Sequence, residues 1–164
     1  TSLARLISEL LIVDGWTVRW ASCDLDSDPY KIAKMWIGKS APTNPRAIVS
    51  LLSPTKNILV IDEIQAVSKR HISSVHELIS RCCEFGIRTL LIVRAPNPLS
   101  NLENFQEVRV DGISPYDSLS ILSPELTEER ALEISESLGG HPLALHLWAP
   151  EDNSLRKVKQ FKNL

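Results

Sequence analysis

The segment Ile58-Leu-Val-Ile-Asp62-Glu63 constrains the fold more than any other part of this chain. A short, uninterrupted apolar run rich in branched side chains suits a strand buried on both faces of a parallel sheet. Open parallel sheets bind ligands outside the carboxyl ends of their strands. A strand ending in Asp62 and Glu63 delivers two carboxylates to that edge. One carboxylate there can hold a magnesium ion through its waters, because that ion prefers oxygen ligands and keeps several waters. The other can orient and deprotonate an attacking water. The same pattern also fits an acidic strand end that merely faces solvent, and this segment alone leaves both readings open.

The surrounding pattern alternates helix and strand. Leu3, Leu6, Ile7, Leu10 and Leu11 recur at helical spacing and predict a helix over 1–13, stopped by Gly15. Alternation predicts a strand over 17–25, with Asp24 near its carboxyl end. Short helices are expected over 29–37 and 46–52, separated by a loop over 41–45. Ile72, Val75, Leu78, Ile79, Cys82 and Phe85 form the stripe of a helix over 71–85, ended by Gly86. Thr89 to Val93 reads as a second buried strand, and Val108 and Val110 mark a weaker fourth. Strands separated by helices imply an α/β fold, a parallel sheet flanked by helices on both faces.

After Gly112 only helix signals remain. Ser114-Pro115-Tyr-Asp117 carries a capping pattern, Thr127 precedes Glu128 and Glu129, and Gly139-Gly140 closes one helix before Pro142 opens another. The expected organisation is an α/β core over 1–112 and a small helical unit over 113–164.

Composition removes several function classes. Eighteen basic residues face twenty acidic ones, giving a formal net charge of −2. That balance argues against a strongly electrostatic nucleic-acid binder. No apolar run is long enough to span a bilayer, and no charged segment followed by an apolar one occurs at the start of these residues, so neither a transmembrane helix nor a secretory leader is expected. The three cysteines include the adjacent Cys82 and Cys83 and form no C-x-x-C pair, so reduced thiols in a cytoplasmic protein are expected. His71 and His76, like His141 and His146, are spaced five apart rather than the four that a helical metal pair requires. Gly38-Lys39-Ser40 comes after a helical stretch and has Ala33 where a phosphate loop needs its first glycine, so it reads as a solvated helix end.

Three further segments join the acidic strand. Thr1-Ser-Leu-Ala-Arg-Leu6 resembles the helix start that succeeds the glycine and lysine of a phosphate-binding loop, G-x-x-x-x-G-K-[ST]. Gly86-Ile-Arg-Thr-Leu-Leu-Ile-Val-Arg94 is a strand that brings an arginine to the edge of Asp62 and Glu63. Leu138-Gly-Gly-His-Pro-Leu-Ala-Leu145 is a helix end, a tight turn and a proline-initiated helix.

In combination and order these segments resemble the STAND class of P-loop NTPases, the AAA+-like regulatory ATPases that include NB-ARC proteins and many archaeal ATPases. The resemblance runs from Thr1 to about Trp148. It implies ATP or ADP and Mg2+ as ligands. Thr1 would ligate the magnesium, and Thr1 with Ser2 would meet the nucleotide. Asp62 would be the Walker B carboxylate of the magnesium shell, Glu63 the water-activating base and Arg94 the sensor. Pro142 would sit against the adenine. The class places the strand before the phosphate loop beside the sensor strand. That strand, the glycines and the lysine do not occur in these residues, so the ATPase expectation is conditional on a Walker A loop outside them.

The expected function is a slowly hydrolysing ATPase switch, with nucleotide and a protein partner or self-association as its interactions and no membrane. A DNA-binding AAA+ loader or transposition helper is an alternative, to which the basic tail of Arg156, Lys157, Lys159 and Lys162 would contribute. A non-enzymatic interaction module is a third.

Overall fold

Three strands pair in parallel in the order β1-β2-β3: β1 (Thr17–Ser22), β2 (Asn57–Asp62) and β3 (Arg88–Leu91). The computed structural model describes residues 2–52, 55–94, 96–99, 101–102, 105–122 and 126–148. The chain divides into two compact units, Thr1–Gln106 and Glu107–Leu164.

In the first unit β2 is central, and Leu59, Val60 and Ile61 are all fully buried. Burying each such side chain stabilises by roughly 1.5–3 kcal/mol, which is why the apolar run takes the middle of the sheet. Arg19, Ala21, Leu59, Ile61 and Leu91 share one face through the register of the ladders. Against that face pack α2 (Pro29–Ile37), α3 (Pro45–Leu51) and α4 (Lys69–Glu84), which supply Ile32, Ile48, Val75, Leu78 and Ile79 to one core. Proline at the first position sets α2 and α3, and each is capped by the preceding side chain: Asp28 accepts the Lys31 N–H and Asn44 the Arg46 N–H.

The opposite face carries Trp20 and Val60. Helix α1 (Ser2–Val13) covers it, with the Arg5 guanidinium 5.1 Å from the Trp20 ring centroid. Past the end of α1, Trp16 lies under Arg88, the first residue of β3, at 4.6 Å. These two stacks fix the direction of α1. Its first turn lies toward the carboxyl ends of the strands and its last turn toward their amino ends.

The expected stripe of α1 is present but does not face the core. The helix buries small Ala4 and Ser8, while Leu3, Leu6 and Leu10 remain exposed, Leu10 at 60%. Small residues let the helix lie close on the sheet, and the larger ones are turned outward.

Other expectations require correction. β1 ends at Ser22 because Asp24 and Ser27 close a turn there: the Ser27 N–H donates to the Asp24 carbonyl and the Asp24 N–H to Ser27 Oγ. β3 ends at Leu91, although the Ile92 N–H still reaches the Ile61 carbonyl at 2.8 Å. No strand forms at Val108 and Val110, which are 73% and 72% exposed. Alternating valines supply strand propensity, but among the described residues no neighbouring ladder receives them.

The second unit has its own core of Leu122, Ala131, Ile134, Leu138, Ala144 and Leu145. It contains α5 (Pro115–Ser118), α6 (Glu128–Ser137) and α7 (Pro142–Leu147). Ser114 Oγ accepts the Asp117 N–H and Thr127 Oγ1 accepts the Arg130 N–H, so both expected caps form. Buried Ser135 and Ser118 satisfy each other at 2.7 Å between α6 and α5.

Candidate functional site

The carboxyl end of β2 is where chemistry-bearing residues converge. Asp62 closes the strand at 4% exposure. Its backbone carbonyl accepts the Cys23 N–H at 2.8 Å, and its Oδ1 accepts the Glu63 N–H at 3.0 Å. Glu63 then leaves the strand with φ 57° and ψ 37°, a left-handed conformation uncommon outside glycine. This conformation turns the chain into a single 3-10 turn over Ile64–Ala66.

That turn returns Gln65 toward Glu63. Gln65 Nε2 donates to Glu63 Oε2, and Gln65 Oε1 accepts the Arg94 backbone N–H at 3.1 Å. Arg94 Nη2 donates to Glu63 Oε1 at 2.6 Å. Both carboxylate oxygens of Glu63 are therefore engaged, one by a guanidinium from the end of the adjacent strand and one by an amide from its own turn.

A second charged group lies at the same edge, after β1. Asp24 accepts Lys31 Nζ on both oxygens, at 2.8 and 2.6 Å, and also accepts Ser27 Oγ at 2.9 Å. The Lys31 hydrogen bond, with the Ser27 one, holds the Asp24 carboxyl below the usual aspartate range. The same contact raises Lys31. Asp26 pairs with Arg70 at 2.9 Å, tying this loop to the first turn of α4. Cys23, beside it, is buried, and desolvation pushes its thiol up to about 11. Cys82, in the core, is pushed up to about 12 by burial. Neither is a nucleophile at neutral pH.

Of the sequence-derived candidates, the structure brings together Asp62, Glu63 and Arg94. Ser2 is the first residue of α1, whose first turn faces the same edge of the sheet. Thr1 lies outside the described residues. Pro142 belongs to the second unit and opens α7, capped by His141, whose Nδ1 accepts the Ala144 N–H at 3.3 Å. Sequence pattern does not single out Gln65, since a glutamine between Ile64 and Ala66 carries no motif of its own.

Among the described residues, no group of three His, Cys, Asp or Glu side chains could hold a metal ion. One carboxylate at a strand end fits magnesium only as magnesium nucleotide, where phosphate oxygens and waters complete the shell. Among the described residues no helix is long and apolar enough to cross a membrane. Comparison with known proteins finds no family model, no curated protein and no solved structure that matches this chain.

Proposed function

We propose that this chain is part of an ATP-binding, slowly hydrolysing regulatory ATPase of the STAND and AAA+ type. The observation that carries the reading is the placement of Asp62, Glu63 and Arg94 at one edge of a parallel sheet, with Glu63 and Arg94 in contact at 2.6 Å. Two further features support it. The first turn of α1 faces this edge, and a helix amino end there favours a phosphate. Among the described residues β3 pairs on one side only, with β2, and its other side is where the resemblance puts the strand preceding a phosphate loop.

In this reading Asp62, with Thr1, would hold magnesium, which neutralises phosphate charge when bound. Glu63 takes a proton from water as the water oxygen attacks the terminal phosphorus. The bond from that phosphorus to the bridging oxygen breaks, and ADP and phosphate leave. Arg94 moves its charge from Glu63 to a terminal phosphoryl oxygen. A switch needs long-lived states, so turnover is slow.

The test uses the full-length protein. Magnesium ATP should bind measurably and be hydrolysed, and Glu63→Gln should keep binding while losing turnover by about 10²–10⁴-fold. Normal hydrolysis by Glu63→Gln would remove the base assignment, and absence of both binding and turnover in the wild type would remove the whole reading.

A further inference from the structure

We infer that Gln65 is a positioning residue: a clasp that makes Glu63 and Arg94 one unit and orients the Glu63 carboxylate. The inference rests on the ATPase reading for its catalytic consequence and on local geometry for the clasp itself. The amide of Gln65 uses its two ends on two different strand termini. Its NH2 donates to Glu63 Oε2, after β2, and its carbonyl accepts the Arg94 N–H at 3.1 Å, after β3. The backbone supports this arrangement, because the left-handed Glu63 is what brings position 65 back over position 63.

The consequence is a division of labour between the two oxygens of Glu63. Oε1 is held by the end of a long, solvent-facing arginine, and Oε2 by a short amide set in a turn. A phosphate arriving at the edge competes for the guanidinium, a stronger and better-matched partner for it than one carboxylate oxygen. When Arg94 transfers, Oε1 is freed to take a proton while Oε2 stays fixed by Gln65. Glu63 is thus masked without ligand and unmasked in a defined orientation with it.

Two variants separate the two ends of the clasp. Gln65→Met keeps length and removes both polar ends. Gln65→Glu keeps an acceptor for the Arg94 N–H but cannot donate to Glu63. In the full-length protein, Gln65→Met should lower kcat for ATP about tenfold, with KM changed less than about twofold, because misorientation of a base costs rate rather than binding. Hydrogen exchange of the Arg94 backbone amide should accelerate about tenfold, while that of Ile92, bonded to Ile61, stays unchanged. Gln65→Glu should lower kcat similarly yet keep Arg94 protected.

Unchanged Arg94 exchange in Gln65→Met overturns the clasp. Wild-type kcat in both variants overturns the positioning role. A wild type without turnover overturns the ATPase reading and the catalytic role together, and the clasp then stands or falls on Arg94 exchange alone.

Discussion

Arg94 Nη2 and Glu63 Oε1 meet at 2.6 Å across the ends of two neighbouring strands, yet the arginine side chain is 74% exposed and the glutamate 32%. Contacts of this kind contribute little to folding, about 0–1 kcal/mol, because water screens them and two long side chains must be ordered. Arg94→Ala should therefore shift the denaturation midpoint by an amount equivalent to less than about 1 kcal/mol. In the ATPase reading the same variant should slow turnover far more than that figure implies. Urea unfolding and steady-state turnover on one preparation compare the two. A loss of several kcal/mol would mark the pair as structural.

Glu63 is placed against its backbone preference. Its positive φ, 57°, is shared outside glycine among the described residues only by Lys56, at 51°, and the two bracket β2. A left-handed residue with a Cβ costs about 1–2 kcal/mol relative to the usual region, and glycine avoids most of that cost. Glu63→Gly loses the screened Arg94 contact and the Gln65 hydrogen bond and relieves the backbone. Its stability should stay within about 1 kcal/mol of the wild type, and in the ATPase reading turnover should be lost. Strong destabilisation in a denaturant titration would show that the side chain is retained for the fold.

Legibility from sequence tracks physical locality. The strand Asn57–Asp62 is readable because burial on both faces demands a continuous apolar run. Helix α4 is readable because one face meets the core, and Val75, Leu78, Ile79 and Cys82 are indeed buried. The α1 stripe shows the limit: periodicity reports that a helix has an apolar face, not which neighbour covers it, and here Ala4 and Ser8 face the sheet. Val108 and Val110 show a second limit, since a strand exists only with a partner ladder. At the site, Asp62, Glu63 and Arg94 are readable because strand ends map to one edge. Gln65 is not, because its role depends on the left-handed turn at Glu63.

The Asp24 and Lys31 pair gives a pH signature. Lys31 holds the Asp24 carboxyl below its ordinary value of 3.8, so the folded state takes up that proton less readily than the unfolded chain. The stabilising contribution is present above pH 3.8 and is lost as pH falls through the lowered value. Lys31 is raised above its ordinary 10.5, so its contribution is present below pH 10.5 and lost as pH rises beyond it. Thermal midpoints of wild type and Asp24→Asn should differ by a constant amount between these limits and converge outside them. A gap that persists unchanged down to pH 2 would mean the loop is held by its other contacts, Asp26 with Arg70 among them.

The second unit turns on a backbone approach that no side chain can share. A Cβ added at Gly140, where φ is +64°, would stand 2.2 Å from the Ile113 carbonyl oxygen, and one at Gly112 would stand 2.0 Å from the Gly139 carbonyl oxygen. The Ile113 N–H donates to the Gly140 carbonyl at 2.9 Å, so the two glycines bring the segment before α5 against the turn between α6 and α7. Backbone cannot rotate away as a side-chain tip can, and φ at Gly140 is unfavourable for any L-residue with a Cβ. Gly140→Ala should therefore break the Ile113 hydrogen bond and destabilise this unit by more than about 1 kcal/mol, whereas a glycine-to-alanine change at a compatible position stabilises by about 0.4–1 kcal/mol. Gly139→Ala is the control: φ is +60° there too, but nothing lies within 4 Å of its added Cβ. Gly139→Ala then carries only the conformational cost, and Gly140→Ala carries that cost and the clash. Hydrogen exchange at the Ile113 amide should distinguish them, with rapid exchange in Gly140→Ala and retained protection in Gly139→Ala. Equal exchange in the two variants would mean that the approach of the two backbones is not what holds the turn.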